Sequence, residues 1–352
     1  MTGTFLYGIV ERANPAKLDI RGIDGTSRVR VAASGDFGAV VSAHQSATDF
    51  HAQPREGVFR CLLAYQRVIE RLVQRQMVLP VKFGTVLASA GEARDLISQN
   101  RTALRNAFDS VRGTVEIELA ATWDISRILH EVGGEPAVVT ARETIERSGH
   151  ASPDDRVQLG RLVKSCLDQR RTAIRDRALD VLGSLATRVA SHALLDDRFV
   201  MNEAFQITRE RLPEFDRRVR QLDALFEDQI LFRVVGPLPP YTFCTVEVTR
   251  VTARQLDEAR DVLGLDAEGL DDHAVRGAYR NLAAQTQRQL RVASSAGPRV
   301  GQLKEASELL LARCRADPAA RQLTADRRDR WVARIQSTGL VDISPASFGG
   351  GV

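Results

Sequence analysis

The sequence predicts an α+β protein with two α+β domains followed by a small helical bundle. Three observations point there. Up to residue 250, short runs rich in aromatic and β-branched residues alternate with segments whose apolar residues recur at three- and four-residue steps. After Arg250 the strand signals stop and only helical spacing remains. The length of 352 residues, at roughly 150 residues per domain, corresponds to two or three domains. The expected division is 1–112, 113–250 and 251–352.

In the first domain, Thr4 to Val10 and Gly38 to Ser42 read as strands. Pro54 stands where a helix can begin, and Val58, Cys61, Leu62, Tyr65, Val68, Ile69 and Leu72 then fall on one helical face, which needs a sheet to cover. Pro80 ends that helix, Val81 to Leu87 supplies another strand, and Gly91 to Phe108 reads as a second amphipathic helix. Val115 to Trp123 opens the next domain as an alternating strand, with Val115, Ile117 and Leu119 against Glu116, Glu118 and Ala120. A mostly antiparallel sheet is expected.

From Asp155 to about Ala193 there is no proline, and only Gly160 and Gly183 interrupt a helical stripe, so one long helix kinked near Gly183 is predicted. Pro153, Asp154 and Asp155 suit its first turn, because proline lacks the donor that would be orphaned there and carboxylates favour the positive end of the helix dipole. Arg198 to Thr208 is a strand in which Glu203 is the one non-apolar position of an otherwise apolar alternation. A helix from Pro213 to Phe226, a strand at Gln229 to Val235, the turn Gly236-Pro237-Leu238-Pro239-Pro240 and a strand from Phe243 to Val248 complete the domain. The order β-α-β-α-β-β suggests a modified ferredoxin-like sandwich. Beyond it, Ala253 to Leu263, Asp271 to Arg291 and Val300 to Arg315 form the bundle, and Phe348 to Val352 has little to pack against.

Composition excludes several function classes. No run approaches the roughly 18 apolar residues of a membrane span, since even Gln229 to Val235 is broken by Arg233. The N-terminus has no basic region before its apolar run, so it reads as a strand and not a secretory signal, and a cytoplasmic location is expected. Cys61, Cys166, Cys244 and Cys314 are dispersed in apolar patterns and read as buried free thiols. The formal net charge is +4, with Arg interleaved among Asp and Glu, which reads as solvated helix faces and not a nucleic-acid patch. Arg233 and Lys82 read as edge or outward-facing charges, or as partners of a buried carboxylate.

Catalytic and metal signatures are missing. The glycines at Gly22 to Gly25 and Gly133-Gly134 lack the spacing and lysine of a phosphate loop. No two of the six histidines have the spacing of a helical metal site. No cofactor and no catalytic residue is assigned. His44 and His51 beside Asp49 can be written as a base with an orienting carboxylate, but no nucleophile or oxyanion-hole sequence accompanies them, and an exposed polar loop reads the same way.

Four segments carry a resemblance. They are Phe5-Leu6-Tyr7-Gly8-Ile9-Val10, Val78-Leu79-Pro80-Val81-Lys82-Phe83-Gly84-Thr85, Val200-Met201-Asn202-Glu203-Ala204-Phe205 and Gly236-Pro237-Leu238-Pro239-Pro240-Tyr241-Thr242-Phe243. Over roughly residues 4 to 250 the chain resembles the gas vesicle protein F/L family. The last segment is the most specific, because its three prolines force an extended, donor-poor path. Leu238 stands where the family usually has Trp, a departure that bears on a stacking contact. The resemblance implies two α+β domains, the second modified ferredoxin-like. It also implies an accessory or minor structural protein of cytoplasmic gas vesicles that binds the hydrophobic shell subunit and other accessory proteins and assists assembly without catalysis. A small-molecule substrate, a membrane and nucleic acid are not implied as partners.

A shell subunit exposes apolar surface before assembly, so a protein that covers that surface or joins the growing edge is useful. The candidates for the contact are an exposed sheet edge and the residues Gly236, Pro237, Pro239, Pro240, Tyr241 and Phe243, whose rigidity lowers the ordering cost of binding. The competing reading of the prolines is structural, a stiff connection between two strands. The helical tail resembles a J-domain at Val262 to Leu265, Val275 to Ala283 and Leu303 to Ala306. Its His-Pro-Asp is absent, with about Gln285-Thr286-Gln287 at the corresponding place, so a packing or docking bundle is preferred to a co-chaperone adaptor. A nucleic-acid-binding regulator is the other alternative, with a helix over Arg321 to Arg334 making phosphate contacts.

Overall fold

The computed structural model describes residues 3–11, 19–44, 54–149, 152–227, 229–266, 270–290, 297–316, 330–336 and 342–343. Two compact units emerge, one of residues 1–112 with 244–337 and one of residues 113–243 with 338–352.

The first unit is built on β1 (Gly3–Glu11), which lies between β3 (Phe37–His44) on one side and β4 (Val78–Pro80) and β5 (Val86–Leu87) on the other. β2 (Arg30–Ser34) continues the sheet beyond β3, and every pairing is antiparallel. Residues Thr4 to Val10 are all buried because both faces of β1 are covered. On one face Phe5 and Tyr7 meet Tyr65 of α1 (Arg55–Val73), with the two tyrosine rings stacked at 6.1 Å. On the other, Leu6 and Ile9 share a core with Leu96 and Ile97 of α2 (Ala90–Gln99) and with Leu104 and Phe108 of α3 (Arg101–Val111).

Three local expectations change here. Of the strand expected at Val81 to Leu87 only Val86–Leu87 is a named strand, and β4 falls just before it at Val78–Pro80, because Gly84 turns the chain between them at φ +91°, a left-handed value that favours glycine. The single helix expected over Gly91 to Phe108 breaks at Asn100, whose φ of −127° and ψ of 23° leave the helical region. β2, with polar Arg30 and Ser34 flanking a short apolar stretch, has no strand signature of its own.

The second unit contains β6 (Thr114–Trp123), α4 (Ile125–Gly133), α5 (Pro136–Arg147), α6 (Pro153–Leu182), β7 (Ala186–Ser191), β8 (Phe199–Thr208), α7 (Leu212–Leu225) and β9 (Ile230–Leu238). Its strands lie in the order β7-β8-β6-β9, all antiparallel. Counted by appearance this is second, third, first, fourth, the ferredoxin-like arrangement. The long helix ends at Leu182, and Thr187 and Val189 of the span expected to be helical are in β7. The element order is therefore β-α-β-β-α-β, and the strand expected from Phe243 to Val248 belongs to the other unit. α6 starts on a capping box in which Ser152 and Asp155 satisfy each other's backbone N–H.

One face of this sheet carries Leu119, Phe205 and Ile207 against Leu179 and Leu182 of α6 and Phe215 and Leu222 of α7. Glu203 sits on that same face, 2% exposed. Arg175 of α6 donates to it at 2.6 Å and Ser191 at 2.7 Å, which compensates the burial of the charge.

After Phe243 the chain supplies β10 (Thr245–Val251), then α8 (Ala253–Leu263), α9 (Asp272–Leu290), α10 (Gly297–Ala316) and β11 (Arg330–Gln336) to the first unit. The three helices pack through Leu263, Val275, Leu303 and Leu310, as a small bundle should. Gly264 terminates α8 in the left-handed conformation at φ 63°. Strands do not stop at Arg250, however. Residues 330–336 form a strand where a basic helix over Arg321 to Arg334 was expected, with Trp331 to Ile335 paired along β10. Residues 321–329 and the C-terminal Phe348 to Val352 lie outside the described residues. The 251–352 segment, which reads in sequence as a separate bundle, thus groups with residues 1–112 over most of its described length. A short β12 (Asp342–Ile343) pairs with β7 of the second unit.

Arg175→Ala should destabilise the second unit by about 2 to 3 kcal/mol, since it strands a buried carboxylate. The double change Arg175→Met, Glu203→Met should recover most of that loss. Chemical denaturation of the variants followed by circular dichroism tests both, and equal stabilities for the single and double variants would remove the ion pair as the cause.

Candidate functional site

The Gly-Pro-Leu-Pro-Pro-Tyr-Thr-Phe segment begins inside β9 and returns across the sheet face opposite the helices. Leu238 pairs with Glu116 of β6, after a register shift that sets residues 236 and 237 off the ladder. Gly236 has φ +145°, and a Cβ there would meet Ile117 Cδ1 at 2.7 Å and the Glu116 carbonyl oxygen at 2.9 Å, so glycine is required. The Gly236–Pro237 peptide is cis. Tyr241 N–H donates to the Pro239 carbonyl at 2.7 Å, which tightens the turn. Phe243 packs on Ala190 and Ala204, with the Arg188 guanidinium 5.1 Å above its ring.

The residues proposed from sequence for partner binding therefore divide. Gly236 and Pro237 are exposed and Tyr241 is half-buried, whereas Pro239, Pro240 and Phe243 are buried. The buried three support the reading of the prolines as a stiff structural connection.

Glu116 is what fastens this connection. The strand alternation assigns it to an outward polar face with Glu118, yet its side chain is 0% exposed. It accepts the Thr242 N–H at 2.8 Å on one carboxylate oxygen and the Thr242 hydroxyl at 2.8 Å on the other. His192 Nε2 lies 3.2 Å from the same hydroxyl. With Glu116 ionised, the hydroxyl hydrogen is committed to the carboxylate, so His192 is the donor. With Glu116 protonated, the chain of hydrogen bonds can reverse. Burial pushes the Glu116 carboxyl up to about 7, against the lowering effect of the Thr242 and Phe243 hydrogen bonds and with a further upward push from Glu118. Only tertiary contacts place Thr242 and His192 beside Glu116, so spacing in the sequence carries no signal of the triad.

The other sequence candidates resolve simply. Lys82 is exposed and ion-paired with Glu247 at 2.6 Å, and Arg233 is exposed on β9. All four cysteines are free, with Cys166 and Cys244 buried and Cys61 and Cys314 half-buried. His44 is buried beside Phe5, and desolvation lowers its basicity. His51 and Asp49, its proposed companions, lie outside the described residues. Gln285 to Gln287 fall within α9, and Thr286 is buried with its hydroxyl donating to the Leu282 carbonyl. Among the described residues no group of three or more His, Cys, Asp or Glu could hold a metal ion, and no helix is long and apolar enough to cross a membrane.

The family model described as "Gas vesicle synthesis protein GvpL/GvpF" matches residues 3–245, a span that includes the Gly236 to Phe243 segment. The chain belongs to this family. Gas vesicle protein F of Microcystis aeruginosa is 25% identical over 245 residues, covering 68% of this chain and 97% of that protein. Gas vesicle protein L2 of Halobacterium salinarum is 28% identical over 266 residues, covering 70% of this chain and 94% of the relative. The crystal structure of GvpF from Microcystis aeruginosa superposes with a TM-score of 0.59 at 25% identity, covering 68% of this chain and 98% of that one. The family match ends at residue 245, so α8, α9, α10 and β11 of this GvpL/GvpF protein lie beyond it.

The raised Glu116 sets a pH prediction with a definite sign. A carboxyl whose folded-state value lies above its unfolded one favours the folded state at low pH and loses that contribution as pH rises through the folded value. Wild-type stability should fall by about 2 to 3 kcal/mol between pH 5 and 8 relative to Glu116→Gln, in which Oε1 accepts the Thr242 N–H and the amide donates to the rotated hydroxyl. Urea titrations of both proteins at each pH test this. Parallel pH profiles would show that Glu116 does not titrate in that window.

Proposed function

We propose that this protein is an accessory or minor structural component of gas vesicles that binds the hydrophobic shell subunit and assists vesicle assembly in the cytoplasm, alongside other vesicle proteins and without catalysing a reaction. Membership of the family supports this reading. The observation that carries it to a surface is the outer edge of β9. Among the described residues, β9 ends its sheet with no further strand beyond it. Its apolar side chains Leu231 and Val234 are 70% and 40% exposed, and they alternate to opposite faces of the sheet.

An open edge carrying apolar side chains on both faces suits strand addition. The incoming main chain completes the ladder, and its side chains cover Leu231 and Val234. A very hydrophobic subunit before assembly is a partner with such needs. Gly236, Pro237 and Tyr241 mark where this edge stops, because Pro237 cannot donate to an added strand. The contact we propose thus runs along Ile230 to Val235 and ends at the proline segment. Buried Pro239, Pro240 and Phe243 act by holding the segment's shape.

Tagged full-length protein co-expressed with the gas vesicle shell subunit should capture it. Leu231→Lys with Val234→Lys should reduce capture at least tenfold while leaving thermal unfolding unchanged, because both side chains are exposed. Undiminished capture by the double variant would move the contact away from β9. Absence of capture by the wild-type protein would remove direct shell binding.

A further inference from the structure

β11 is held mainly by groups that read main chain. Over its seven residues it pairs antiparallel with β10, from Arg330 opposite Val251 to Gln336 opposite Thr245. On its other edge the side chains at the break between α2 and α3 take the place of a third strand. Gln99 Oε1 accepts the Trp331 N–H at 2.8 Å, Asn100 Nδ2 donates to the Trp331 carbonyl at 2.8 Å, and Asn100 Oδ1 accepts the Ala333 N–H at 2.9 Å. Asn100 is 0% exposed. Its one further side-chain hydrogen bond is to the Leu96 carbonyl. A buried carboxamide deprived of β11 would keep a single partner, and burying an unmatched amide is unfavourable. The Asn100 carboxamide is thus fully matched when an extended strand lies beside it.

The side-chain fit is selective as well. Ala333 is 3% exposed in the core formed with Ala107 and Val246. Val332, on the opposite face, is fully buried with Val251 and Ala312. The Trp331 ring lies under the Arg250 guanidinium at 6.0 Å.

We propose that β10, Gln99, Asn100 and α3 form an acceptor site for an extended peptide strand. Its ligand class is a segment with an apolar residue followed by a small one, at the positions of Val332 and Ala333. In this chain the site is filled in cis by residues 330–336, so the extension past the family match is a strand donor. It closes the β10 edge to other chains. The acceptor relation is independent of shell binding.

The test uses the full chain with protease recognition sequences inserted after residues 323 and 338, so that cleavage leaves the strand attached only by its contacts. The released segment should remain with the folded body through size exclusion, and a labelled synthetic peptide of residues 328–338 should exchange into it. Asn100→Ala should weaken peptide binding at least tenfold. The same loss is expected for a peptide with Ala333→Pro, which lacks the N–H that Asn100 accepts and cannot affect folding of the body. A segment that elutes free from the wild-type body overturns the proposal, as does equal binding of the wild-type and Ala333→Pro peptides.

Discussion

The second unit depends on one buried carboxylate. Glu116 sits in the middle of a sheet face that would otherwise be apolar or wet, and its two oxygens are occupied by the N–H and hydroxyl of Thr242. Those bonds hold the Pro239 to Phe243 return against the sheet, where Phe243 reaches Ala190 and Ala204. A glycine is required at 236, where the return begins, because a Cβ on that β9 residue would collide with Ile117 and the Glu116 carbonyl oxygen. The Gly236 to Phe243 segment of this chain is therefore a fastening that engages the ionisable Glu116, and its prolines limit the conformations open to the unfolded chain.

The same physical device recurs twice. Glu203 is buried among apolar side chains but paired with Arg175 and Ser191. Asn100 is buried but bonded to Trp331 and Ala333 from the far end of the chain. Each buried polar group has satisfactory partners in only one arrangement of distant segments, and misplacement would leave it unmatched in a low-dielectric surrounding. Apolar packing supplies most of the stabilisation here as in other domains, whereas these three groups select which strand and helix lie together.

Edges connect the fold to the role proposed for it. The β10 edge is closed by β11 and the Gln99–Asn100 pair, and the second sheet is left open at β9, where Leu231 and Val234 are exposed. Under the proposed shell binding, surplus open edges are a liability, since they invite self-association. Closing the β10 edge in cis removes one such surplus edge.

Much was legible in the sequence. The α+β class, most of the strands in residues 4 to 250 and the helices of the bundle follow from periodicity and caps, and the family from its resemblance at four short segments, because these are local properties that a short window contains. β7 was absorbed into the long helix since Leu182, Leu185 and Val189 continue its spacing. Alternation sets Glu116 on the face opposite Ile117 and Leu119 and says nothing about what covers that face. Asn100 in the middle of a helical pattern, and Trp331 to Ile335 among arginines, gave no warning that one clamps the other. The residues of the candidate site were partly visible, as the proline segment, whereas Glu116, Thr242 and His192 were not visible as a set. Local sequence determined which elements form and what family they belong to. Only the tertiary structure decided which buried polar groups find partners and that β9 ends its sheet, because both depend on segments that are not neighbours in the chain, 126 residues apart for Glu116 and Thr242 and 231 for Asn100 and Trp331.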